Sequence, residues 1–77
     1  MGQTIQAACE RLGELARQED ITAEVLAVLS ASRSHEPQRA ARLTDTSRYH
    51  ARCAEACRVA HTLITAAVAA RPADDPA

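Results

Sequence analysis

The sequence predicts an all-α protein: a small helical bundle of two short N-terminal helices and one long C-terminal helix, completed by dimerisation into a four- to six-helix bundle. Three observations lead there. Gly and Pro occur only at Gly2, Gly13, Pro37, Pro72 and Pro76, too few turn signals to support β-hairpins. Apolar residues recur at helical spacing through most of the chain. Large apolar residues are also scarce, so the fold depends on something beyond its own core.

That scarcity is specific. Of 36 hydrophobic residues in 77, 18 are Ala and 13 are Leu, Ile or Val, with Tyr49 the single aromatic. Buried apolar area stabilises by about 25 cal/mol per Å², and an alanine contributes little of it. Domains of this length bury only about 60% of the surface their unfolded chains expose. A chain so short of bulky residues usually needs a disulfide, a metal or a partner subunit.

In the first segment Ile5, Ala8, Cys9, Leu12, Leu15 and Ala16 form one stripe, with Thr4 as N-cap, predicting a helix over 4–18. Ile21, Val25, Val28 and Leu29 form a second stripe about 180° away, which argues for a break at Glu19-Asp20 and a separate helix over 21–32 capped by Asp20. Ser30 to His35 reads as a fraying end and loop. Pro37 suits a first helical turn, and the pattern then holds its phase to Arg71, giving one long helix with room for a kink at 44–47. A single domain over 1–71 and a disordered tail over 72–77 follow.

From Ala56 onward the last helix is apolar on nearly every side, and such a helix has to be enclosed on every side. The expected partner is a second copy, with Cys57, Val59, Ala60, Leu63, Ile64, Ala67 and Val68 at the contact. A two-fold dimer with the long helices antiparallel is the first choice, two-fold dimers being the commonest oligomers. Charge agrees with association of unlike parts: residues 1–30 carry five acidic and two basic side chains, and residues 31–60 carry six Arg against three acidic ones.

One constellation suggests chemistry. His50, Cys53, Cys57 and His61 line one face of the long helix, and thiolate with imidazole suits Cu(I) or Zn(II). The outer two are roughly 16 Å apart along the helix, so only neighbours can share an ion, with Cys9 or a second subunit completing the site. The segment Cys53-Ala54-Glu55-Ala56-Cys57 resembles the C-x3-C turns of the small four-helix-bundle copper-storage proteins, which implies Cu(I) held by thiolates; that family's further cysteines are absent here. Packing of the cysteines as small hydrophobes ranks ahead of metal binding, and His50 and His61 are expected at a rim, paired to carboxylates of the acidic half.

There is no phosphate loop and no nucleophile elbow, so no enzyme activity and no cofactor are expected, copper or zinc being the alternative. Arg39, Arg42, Arg48, Arg52 and Arg58 make a basic flank, for which solvation or pairing with Glu10, Glu14 and Glu24 outranks phosphate contact; a nucleic-acid regulator is the third reading. No signal sequence and no membrane span are read, and three cysteines fit a reduced, cytoplasmic setting better than a disulfide framework. The leading functional expectation is an interaction or accessory protein, with itself and possibly another protein as partner.

Overall fold

The structure, a computed structural model, describes residues 2–70. They form two long antiparallel helices, α1 (Gly2–Ser32) and α2 (Pro37–Ala69), joined by the tight turn 33–36. The hairpin measures 62 × 16 × 11 Å. Among the described residues there is no strand.

Two helices replace the three expected. Glu19 and Asp20 do not end a helix, because no Gly or Pro interrupts the chain there and both side chains are engaged across the hairpin. Glu19 pairs with His50 and Asp20 with Arg58. Thr4 lies inside α1 rather than capping it. The stripe Ile21, Val25, Val28 and Leu29 does point away from the first one, as its phase requires, but on a continuous helix it is simply left exposed.

At the turn, the Arg33 amide donates to the Leu29 and Ser30 carbonyls, and the Glu36 amide donates to the Arg33 carbonyl at 2.8 Å. Pro37 opens α2, and Glu36 before it makes no capping bond with its side chain, pairing instead with Arg33, His35 and Arg39. From there α2 runs unbroken through Thr44-Asp45-Thr46-Ser47. Thr46 Oγ1 donates to the Arg42 carbonyl one turn back, so its hydroxyl is satisfied within the helix. Residues 71–77, which include the expected tail, lie outside the described part.

The residues turned toward the opposite helix follow alternating steps of three and four. On α1 they are Ile5, Cys9, Leu12, Ala16, Glu19, Ala23, Leu26 and Ser30, all buried or half-buried. On α2 they are Ala40, Leu43, Ser47, His50, Ala54, Cys57, His61 and Ile64, likewise. That spacing is the heptad pattern of a two-stranded coil, with these residues at positions a and d.

Hydrogen bonds set the register. Ser47 Oγ donates to the Ala23 carbonyl at 2.7 Å, and Ser30 Oγ donates to the Ala40 carbonyl at 2.8 Å. Ser30 and Thr44 also share a hydrogen bond of 2.7 Å between their hydroxyls. Extended by heptads, this register sets Ala16 opposite Ala54, Leu12 opposite Cys57, Cys9 opposite His61 and Ile5 opposite Ile64. Ile5 and Ile64 do line one cleft together. The centre is thin: among the described residues the buried apolar side chains are Ala16, Ala23 and Ala54, of which only Ala54 is wholly covered.

Candidate interaction surface

Because a and d positions meet between the helices, the hairpin has two broad faces. One is edged by positions e and b of both helices, the other by g and c, with f on the outer ridges. In an antiparallel pair, e borders e and g borders g. The Asp20–Arg58 bridge, 2.7 Å between two e positions, lies on the first face. The cleft formed by Ile5, Ala8, Ile64, Ala67 and Val68 opens on the second.

The two faces differ in chemistry. The e and b positions hold Glu10, Arg17, Asp20 and Glu24 on α1 and Arg48, Glu55 and Arg58 on α2, with no Leu, Ile, Val or aromatic residue. Glu55 and Asp20 both bond the Arg58 guanidinium and hold its pKa above the ordinary value, Glu55 contributing most.

The g and c positions of α2 begin with Arg39 and Arg42 near the turn; from Thr46 onward they are Thr46, Tyr49, Cys53, Ala56, Ala60, Leu63, Ala67 and Ala70, a second heptad stripe without a charge. Across from them on α1 lie Ala8, Leu15, Thr22, Val25 and Leu29, with Arg11 the charged exception. Exposed large apolar residues follow this division. Val25, Leu29, Tyr49 and Leu63 stand on the g and c face, and Ile21, Val28 and Val59 stand on the ridges. Val68, also exposed, ends the seam at the open end.

Tyr49 sits edge-on to the His50 ring, 5.4 Å between centroids at 80°. Its phenol pKa is raised above 10.0, chiefly by the neighbouring Cys53 side chain one turn on, with burial and Glu19 adding to it.

The expected contact residues divide between these surfaces. Cys57 and Ile64 are half-buried against α1 and Ala60, at the g edge, is half-buried too, whereas Val59, Leu63, Ala67 and Val68 are exposed. Sequence phase alone could not separate the sets, since both are apolar.

The candidate metal ligands share a neighbourhood without sharing a site. His50, Cys57 and His61 lie along the seam at successive levels, with Cys9 facing His61, and Cys53 lies on the g edge; all five are half-buried. His50 is engaged by Glu19, which is the carboxylate pairing expected for it. The described residues contain no group of three or more His, Cys, Asp or Glu side chains placed to hold an ion. The three cysteines are free. Of the basic flank, Arg42, Arg48 and Arg52 are exposed, in line with the solvated reading, while Arg58 reaches Asp20 and Glu55 and Arg39 reaches Glu36 rather than Glu10, Glu14 or Glu24. The surface clefts are shallow and open to solvent.

Fold and surface together define a helical hairpin with one broad face rich in charge and one whose only charged residues are Arg11, Arg39 and Arg42. No family model, no curated protein and no solved structure matches this chain. Among the described residues, no helix is long and apolar enough to cross a membrane.

Proposed function

We propose that this chain is a non-enzymatic helical interaction protein that works as a homo-oligomer, an accessory or regulatory subunit rather than a catalyst. One contrast carries this reading: the covered core is three alanines, while Ile21, Val25, Val28, Leu29, Tyr49, Val59, Leu63 and Val68 are all exposed. Ordering a residue costs roughly 1–2 kcal/mol of backbone entropy, and alanine burial offsets little of that. Association that covers the exposed residues supplies the missing apolar burial. Free cysteines favour a reducing, cytoplasmic setting for the assembly.

Thermal unfolding followed by circular dichroism over a hundredfold range of protein concentration tests the reading. An oligomer that binds only the folded form gains stability with concentration, so the midpoint is expected to rise. A midpoint independent of concentration would contradict self-association.

A further inference from the structure

Building on that self-association, we infer that a second copy of the chain docks on the less charged g and c face, with α1 of each protomer lying along α2 of the other, to close a four-helix bundle.

The division of residues selects the face. Helices in a bundle bury positions a and d plus one flanking edge, e or g. Here the e edge carries the Asp20–Arg58 bridge, whose burial would cost desolvation of two charges. The g and c face instead offers Leu15, Val25 and Leu29 on α1 and Tyr49 and Leu63 on α2, with Ala56 and Ala60 as the small residues into which such side chains pack. It is continuous with the seam, so one enlarged core would form.

Area fits a dimer. Two helices side by side, each about 10 Å wide and about 50 Å long, present a face on the order of 1,000 Å², enough for the roughly 800 Å² per partner of a standard interface.

Charge selects the orientation. Within α1, Glu10, Glu14, Glu19, Asp20 and Glu24 outnumber Arg11 and Arg17 by three. Within α2, Arg39, Arg42, Arg48, Arg52 and Arg58 outnumber Asp45 and Glu55 by three. Stacking two hairpins with their turns at the same end places every acidic helix between two basic ones. The antiparallel pairing of long helices read from the sequence would lay basic α2 on basic α2.

Sedimentation of the full chain and of four variants tests the face. Leu63→Glu and Ala56→Glu place a carboxylate on the g and c face, and weakening of dimerisation by at least about tenfold is expected from burying it unpaired. Ala51→Glu and Thr62→Glu place the same group on the e and b face and are expected to leave the affinity within about twofold. All four residues are exposed in the hairpin, so none of these changes disturbs its seam. Loss of dimer in the second pair, or its survival in the first, would overturn the choice of face.

The unmodified chain gives a second measurement. Acrylamide quenching of Tyr49 fluorescence is expected to rise on dilution in step with dissociation, and equal quenching in dimer and monomer would also overturn the choice of face. Added salt is expected to weaken the dimer by screening acidic helices from basic ones, and strengthening by salt would overturn the orientation. A wild-type chain monomeric throughout would instead sink the self-association on which the inference rests.

Discussion

Glu19 of α1 and His50 of α2 form a hydrogen-bonded pair at facing positions of the seam, imidazole Nδ1 against carboxylate Oε2. A slip of one heptad would set Glu19 against Leu43 or Cys57 and leave its carboxylate without a partner. The pair therefore specifies antiparallel register at a cost in apolar burial, a trade seen for polar residues at coiled-coil core positions.

That trade is measurable. Glu19→Ala alone is expected to destabilise by about 1 kcal/mol, because both side chains keep 26–28% of their surface in water and the loss is discounted accordingly. Glu19→Leu combined with His50→Leu is expected to raise the thermal midpoint above wild type, since apolar residues then fill both positions. A double variant no more stable than wild type would contradict the trade of stability for register.

The Ala16–Ala54 level predicts opposite responses to enlargement at two neighbouring sites. Ala54 has 0% of its surface exposed, so Ala54→Leu is expected to cost about 1–3 kcal/mol through overpacking. Gly13 lies inside α1, and a methyl group there would meet only Arg17 Nη1, at an ordinary 3.8 Å. Gly13→Ala is expected to stabilise by about 0.5–1 kcal/mol from helix propensity. Chemical denaturation at fixed protein concentration checks both signs.

Tyr49 is the only tyrosine, so phenolate absorbance reports on it alone. Its midpoint is expected above 10.0, and Cys53→Ala is expected to bring it down, because the Cys53 thiol is the largest cause of the shift. A folded pKa above the unfolded one means that the neutral phenol favours the fold. Its contribution is thus complete below pH 10.0 and is lost as pH rises through the higher folded value. A midpoint at or below 10.0 would contradict the influence of Cys53 on the phenol.

Metal uptake separates the seam from a metal centre. Native mass spectrometry after addition of Cu(I) or Zn(II) is expected to give no ion whose retention depends on both Cys53 and Cys57, because no three of the described His, Cys, Asp and Glu side chains are grouped to hold one ion and His50 is held by Glu19. Stoichiometric uptake abolished by Cys53→Ser with Cys57→Ser would reverse that expectation.

Helical content and the start of α2 at Pro37 were legible because apolar spacing and a proline at the first turn act locally. The continuity of α1 was not. Its seam passes through Glu19 and Ser30, polar residues that an apolar stripe omits, and their partners His50 and Ala40 are distant in sequence. The stripe reading therefore jumped to Ile21, Val25 and Val28, which are exposed. In α2 the apolar run after Ala56 was evident, but only the register turns Cys57 and Ile64 inward while leaving Val59 and Leu63 outward. Placement of His50 against a carboxylate of the acidic half followed from charge, whereas the uneven division of charges between the two broad faces needs the pairing of both helices.

The central claim is that the hairpin completes itself with another copy. Sedimentation equilibrium of the wild-type chain at micromolar concentration tests it most directly: the account predicts a mass of twice 8.2 kDa, and a well-folded species of 8.2 kDa across that range would contradict it.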